Sequence, residues 1–408
     1  METPATTLAQ ASLPAFARGL FDHLPRADQR RWAHIYLEGL LNTPGKKSVR
    51  RIAETVSGSP TAPQSLQQFV NASPWDWMPV RDQLAGWVER RLPLRSLVID
   101  QVILRKRGQH SCGVHRRYLP STGRSVTCQV GVGAFLASDD SAVPVNWSLL
   151  LPRAWTEDPI RRARTRIPDS ARAWPFATHA LELAGQAATG ARSRLLPVVA
   201  DLEGSSGAGG LIGRLDGSGR EFVVSVPGKL RIVPGGGGRM AHCPVNASFL
   251  GPVLPAYSLH ERDPGFQVRT EEVALPGHLD VGTVTSCLVR VPEPGPGAAL
   301  RTYRLLVVRN SAKGRPAQLW LTNMLETSTE DVLGLAATLP LAATAVRDME
   351  EQVGLLDFEG RSYPGWHHHM TLVSAAYAHR LLSSASRRRG IHLLPRERML
   401  VAYAGAGP

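Results

Sequence analysis

Two short apolar runs that each end in an aspartate, Arg95-Ser-Leu-Val-Ile-Asp100 and Leu195-Leu-Pro-Val-Val-Ala-Asp201, decide how the sequence is read. Both are rich in aliphatic residues and bounded by turn residues, so each predicts a strand with an acid at its carboxyl end. Between them, Ser125-Val-Thr-Cys-Gln-Val-Gly-Val-Gly-Ala-Phe135 and Val143 to Leu151 read as two more strands, and Ala173 to Ala188 reads as a helix. The first three strands are joined closely enough to predict an antiparallel meander.

The resulting order of three strands, a helix and a strand, with acids at strand ends, is what an RNase H-like α/β core requires. Working outward, residues 1–92 carry apolar positions at three- and four-residue spacing, as in Arg31 to Leu41 and Val49 to Val56, and predict a helical module. Residues 93–203 form the first part of the core. In residues 204–325 the texture changes to Gly and Pro with short β runs such as Glu221 to Val226, Thr283 to Val291 and Tyr303 to Arg309, which predicts a β-rich insertion. Gly235 to Gly238 lacks the Lys-Ser/Thr of a P-loop and reads as a loop. Residues 326–408 return to helix, with one helix expected over Asp331 to Gly354 despite Pro340, another from about Met370 to Ala385, and a basic tail at Arg387 to Arg389.

The 408 residues exceed one typical domain, and 43% hydrophobic with 20% charged residues excludes a disordered chain. The 47 Lys plus Arg against 34 Asp plus Glu give a net charge of +13, which favours a polyanionic partner. Met1 to Leu20 has no secretory pattern and no apolar run approaches the ~20 residues of a membrane span, so a cytoplasmic protein without membrane contact is expected. Cys112, Cys128, Cys243 and Cys287 are widely spaced, which argues for reduced, buried thiols.

Several segments, taken in order, are similar to signatures of one family. They are Tyr36-Leu-Glu-Gly-Leu-Leu41, Arg51-Ile-Ala-Glu54 and Trp75-Asp76, then Lys106 to Val114, Tyr118, Cys128-Gln-Val-Gly-Val132 and Leu151 to Asp158 with Arg161-Arg162, and finally Phe358-Glu-Gly-Arg-Ser362 with Gly365-Trp-His-His-His369. The chain thereby resembles the DDE-type insertion-sequence transposases, specifically the insertion-sequence-701 type, whose RNase H-like core is split by a β-insertion. The resemblance implies double-stranded DNA as partner, a homodimer, and DNA cleavage and strand transfer by two-metal phosphoryl chemistry, with two Mg²⁺ ions held by three carboxylates, since hard divalent ions prefer oxygen ligands.

Against that pattern the catalytic candidates are Asp100, Asp201 and Glu350, with Asp100 and Asp201 as metal ligands. The family's consecutive aspartates are reduced here to Asp100-Gln101, and its Arg-Trp-x-Ile-Glu pattern falls on Leu339-Pro-Leu-Ala-Ala343, so that Ala343 replaces the third acid. Glu350, seven residues on, is about 10 Å further along the helix. The triad is therefore incomplete and impaired cleavage is expected. Two alternatives stay open: a domesticated, non-catalytic DNA-binding regulator, and a fold repurposed for small-molecule chemistry using Cys112, His115 or Glu203. Lys46, Lys47, Arg50, Arg105, Lys106, Arg107, Arg161 and Arg162 are the candidate DNA contacts, with Arg116-Arg117 a further basic cluster. Consecutive His367, His368 and His369 point in three directions on a helix and are read as packing rather than as one metal site.

Overall fold

The computed structural model describes residues 12–119, 122–186, 193–205, 207–235, 254–256, 268–274, 281–292, 301–310 and 318–392. The chain begins with five helices, α1 (Leu13–Phe21), α2 (Ala27–Asn42), α3 (Val49–Val56), α4 (Ala62–Asn71) and α5 (Met78–Glu89). Their apolar stripes, such as Phe16, Leu20 and Phe21 on α1 and Ala33, Tyr36, Leu37 and Leu40 on α2, are buried, so packing on neighbours stabilises these short helices more than propensity does. The stripes face a continuous core that runs to the C-terminal helix.

The sheet starts with β1 (Ser96–Arg105), β2 (His115–Leu119), β3 (Arg124–Ala137) and β4 (Ala142–Leu150), all antiparallel through β3. After α6 (Arg153–Thr156), α7 (Pro159–Thr165) and α8 (Phe176–Gln186), the chain returns as β5 (Val198–Asp201), parallel to β1. Next come α9 (Ala208–Gly217) and β6 (Phe222–Ser225), which is parallel to β5. The succession β4-β3-β1-β5-β6, with three antiparallel strands followed by two parallel ones, gives the expected RNase H-like core. Both α9 and β6 fall within residues 204–325, read from sequence as the start of the insertion, yet β6 pairs directly with β5, and Leu211, Ile212 and Leu215 give the glycine-rich α9 a buried face.

The sheet does not stop at β6. Among the described residues it continues through β12 (Gln318–Thr322), β11 (Thr302–Asn310) and β10 (Val281–Arg290) to β7 (Arg231–Pro234) and β8 (Leu254–Pro255), while β9 (Val268–Ala274) also pairs with β10. Of the Gly235 to Gly238 run, only Gly235 lies within the described residues, as does none of Cys243.

The single helix expected over Asp331 to Gly354 is two, α10 (Thr329–Ala336) and α11 (Leu339–Gln352). Pro340 sits in the first turn of α11, where its missing N–H breaks no intrahelical bond. Gly354 follows the end of α11 at φ +74°, a left-handed conformation, with the Lys47 side chain packed where a Cβ would be. Thr329–Gln352 reaches the length and hydropathy of a membrane span, but it is this broken helix pair and 44% of its most apolar window is buried in the protein. Finally α12 (Tyr363–His392) begins seven residues before the expected start. Residues Gly365 to Ala378 are buried without interruption, so this part of α12 is enclosed on every side, and its His367, His368, His369, Thr371 and Ser374 are buried polar groups. Arg387 to Arg389 lie in the part of α12 whose side chains are outside the description.

Candidate active site

The acid pair is set by strand register. Ile99 lies beside Ala200 in the parallel β1–β5 pairing, so Asp100 and Asp201 follow as neighbours on one face of the sheet. Gln101 N–H donates to Asp100 Oδ1 at 2.7 Å. On the other strand, Asp201 Oδ1 accepts from Ser225 Oγ of β6 and, at 2.9 Å, from Glu203 N–H. Each carboxylate thus has one oxygen engaged by local donors.

Electrostatics tighten the pairing. Burial pushes the Asp100 carboxyl up to about 6; the Gln101 N–H opposes this shift and the charge of Asp201 adds to it. Among the described residues neither aspartate makes an ion pair. Two coupled carboxylates without a cationic side chain are the donor set of a hard divalent ion. Gln101, one residue along the strand, projects to the opposite face, where Arg117 donates to its Oε1 at 3.0 Å. Its substitution for an acid therefore does not change the face shared by Asp100 and Asp201.

Glu350 is not brought to this pair. Burial raises its pKa, Arg105 lowers it and Glu351 raises it, so Arg105 and Glu351 are its charged neighbours. Arg105 ends β1 five residues beyond Asp100, about 17 Å along the strand. Asp348, on the same helix, turns toward Leu41, Asn42 and Tyr377. Ala343 is exposed on α11, whose buried side carries Ala342, Ala345 and Met349. Among the described residues no group of three or more His, Cys, Asp and Glu gathers closely enough to hold a metal ion. The pair accordingly fits one divalent ion, while a second has no carboxylate to hold it. Ser225 was not singled out from sequence; the only signal was its place near the end of the Glu221 to Val226 run.

The profile of the family described as DDE superfamily endonuclease matches residues 19–244, more than half of the chain. The chain belongs to this DDE endonuclease family. The matched stretch contains both Asp100 and Asp201 and ends before α11, where the third acid was sought. No curated protein matches the chain.

In this DDE-family chain the candidate phosphate contacts separate into two groups. Arg50, Arg105, Arg107, Arg161 and Lys46 are exposed; of these, Lys46 pairs with Glu359 at 2.5 Å, Arg50 with Glu54 at 2.9 Å and Arg161 with Asp158 at 3.4 Å. Lys47, Lys106 and Arg162 are internal braces instead. Lys47 is buried with its ammonium on the Thr43 carbonyl. Lys106 donates to the Phe358 carbonyl at 3.1 Å, and burial lowers its pKa to about 8. Arg162 donates to the carbonyls of Thr156 at 2.9 Å and Pro168 at 2.6 Å. Their charge is spent holding loops, which sequence alone did not reveal.

The three histidines are packing residues, as read from sequence. His368 stacks on Trp75 at 3.9 Å and its two nitrogens face the carbonyls of Val70 and Trp75 at 2.8 and 2.9 Å. His369 Nδ1 accepts from the Tyr36 hydroxyl at 3.1 Å and its Nε2–H donates to the Leu355 carbonyl at 3.2 Å. His367 stacks on Trp77 at 4.5 Å and accepts from Arg81 at 3.1 Å. Burial is the main reason all three have lowered pKa values, to about 4 for His368 and about 3 for His369. For His368 the two carbonyls favour a second proton; burial outweighs them because the ring is enclosed by aromatic groups.

Proposed function

We propose that this DDE-family protein binds double-stranded DNA in the manner of an insertion-sequence transposase and that its strand cleavage and transfer are impaired. The observation that carries the reading is the carboxylate pair Asp100 and Asp201, held in register on β1 and β5 with no third acid gathered beside it among the described residues. A divalent ion, Mg²⁺ in our reading, would supply charge neutralisation and activation of an attacking oxygen when held there. Asp100 and Asp201 are the residues that would hold it, and Ser225 and Glu203 fix the Asp201 carboxylate through hydrogen bonds. With one ion position incomplete, attacking and leaving oxygens are not both stabilised, so binding outlasts cleavage. The division into a helical module, a core and a β-insertion, the insertion-sequence-701 subtype, cytoplasmic location and a homodimer belong to the same proposal.

The small-molecule alternative has less support. The Cys112 thiol is buried and pushed up to about 12, the opposite of an activated nucleophile. His115 is engaged with the Gly113 carbonyl at 3.0 Å rather than with Cys112.

Calorimetry with Mg²⁺ and Mn²⁺, alongside plasmid nicking, tests the proposal on the wild type, on Asp100→Ala with Asp201→Ala, and on Ala343→Glu. Weak single-ion binding that is lost in the double variant, with nicking absent from the wild type, is the expected result. Efficient metal-dependent nicking by the wild type would overturn the impairment. Absence of salt-dependent DNA binding would overturn the transposase-type reading itself.

A further inference from the structure

Beyond the carboxylate pair the sheet narrows to a two-stranded ribbon. The β1–β3 pairing ends at Arg105 beside Cys128, and the β3–β4 pairing ends at Val130 beside Leu150. From Thr127 to Arg124, β3 is paired along its length with β2 alone, apart from one Lys106 N–H donated to the Thr127 carbonyl. Two strands on their own have no covered face and are marginally stable in water. This ribbon nevertheless presents Tyr118 at 60% exposure, together with exposed Arg116 and Arg124.

Its charge is one-sided. Residues 101–138 contain six Lys and Arg and no Asp or Glu. Among the described residues Arg107, Arg116 and Arg124 make no ion pair. The stretch issues directly from Asp100, so the ribbon is tied to the site by one continuous strand pair. Asp100 lies beside Gly133 and Arg124 is nine residues back along β3, and the ribbon bends back toward β1, because Arg117, beside Val126, donates to Gln101 next to Asp100 at 3.0 Å. The major groove of B-DNA, about 12 Å wide, admits a two-stranded ribbon.

We infer that the β2–β3 ribbon enters the major groove of duplex DNA. Arg116 and Arg124 supply the charge for the flanking phosphates, and Tyr118 offers an apolar ring to the base edges. The inference rests on the DNA-binding reading above, and adds which element grips the duplex and through which groove.

The test is fluorescence anisotropy with a 30-base-pair duplex at several salt concentrations. It compares wild type, the triple variant Arg116→Ser, Tyr118→Ser, Arg124→Ser, and Arg50→Ser as an exposed arginine elsewhere. A second duplex carries bulky 5-substituted cytosines, which fill the major groove and leave the backbone charge unchanged. The expected result is at least a tenfold weakening in the triple variant, with a log–log salt slope shallower by about two, one per arginine. The groove-filled duplex should weaken the wild type to a similar degree and the triple variant little. Equal affinity and slope for wild type and triple variant would overturn the ribbon while leaving DNA binding intact. A triple variant that weakens while the groove-filled duplex binds wild type normally would overturn groove entry. A wild type that binds no duplex would overturn both readings. Because all three residues are exposed, unchanged circular dichroism and thermal midpoint are expected and separate loss of contact from loss of fold.

Discussion

Two regions of this protein gather ionisable groups, one enclosed in the core and one at a strand end that is only partly covered, and they differ in whether the surrounding chain satisfies them. On α12, His367, His368 and His369 are enclosed by Tyr36, Trp75, Trp77 and Arg81. Arg81, 2% exposed, also donates to Thr371, Asn146 and the Trp147 carbonyl at 2.8 to 2.9 Å. On β1 and β5, Asp100 and Asp201 are neighbours on one face, and among the described residues no cationic side chain pairs with either. Polar groups whose partners come from the protein build structure, whereas like charges left together call for a ligand from outside. The contrast separates a fold-holding seam from a candidate site in a way that residue type alone does not.

The largest expected effect comes from acidifying the seam. Burial leaves His368 with a pKa of about 4 and His369 about 3, against 6.5 for an ordinary histidine. Outside the seam, the buried His179 of α8, hydrogen-bonded to Ser148 Oγ at 2.8 Å, is likewise lowered to about 4. Between pH 6.5 and about 4 the unfolded chain therefore binds more protons than the folded one, and stability is lost as the pH falls. Each ring contributes on the order of 3 kcal/mol across its window. Denaturant unfolding followed from pH 7 to pH 4 should show a steep loss, reduced in His179→Gln. A flat profile would mean the rings are not held neutral and would erase the distinction between the two regions.

Next in size is Arg81→Ala, which leaves several buried acceptors unpaired and opens space between α5, β4 and α12. A loss of about 3–5 kcal/mol is expected from chemical denaturation. The acid pair should respond with the opposite sign. Because the Asp100 carboxyl is raised from 3.8 to about 6, its native form holds a proton more readily than the unfolded chain does. Stability therefore falls as pH rises through that window, and the deficit is complete at neutral pH. Asp100→Asn should stabilise the metal-free protein at pH 7 by up to about 3 kcal/mol. Destabilisation instead would assign Asp100 to the same fold-holding class as Arg81.

How far the sequence could be read follows from the range of each interaction. The strands around Asp100 and Asp201 were legible because aliphatic runs and turn residues are local signals, and the pairing of the two acids followed once their strands were adjacent. The helix break before Pro340 was not, because proline inside an apolar pattern suits either a kink or a first turn. Lys47, Lys106 and Arg162 looked like phosphate contacts because charge is visible in sequence and the carbonyls of Thr43, Phe358 and Thr156 that take up their protons are not. Glu350 was proposed on helical spacing, but a helix residue meets the sheet where packing puts it. Here its charged neighbour is Arg105, at the far end of β1.

The smallest effect gives the sharpest test of the carboxylate pair. A divalent ion binds the ionised form of Asp100, so its affinity should fall about tenfold per pH unit below about 6 and level off above that value. Mn²⁺ titration by calorimetry between pH 5 and pH 7.5 reads this directly. In Asp201→Asn the neighbouring charge is gone while an oxygen donor remains, so overall affinity should drop and the inflection should move to lower pH, since Asp201 is one of the causes that raise Asp100. An inflection that stays in place would mean burial alone sets the Asp100 proton. Affinity independent of pH in both proteins would put the bound ion somewhere other than the end of β1.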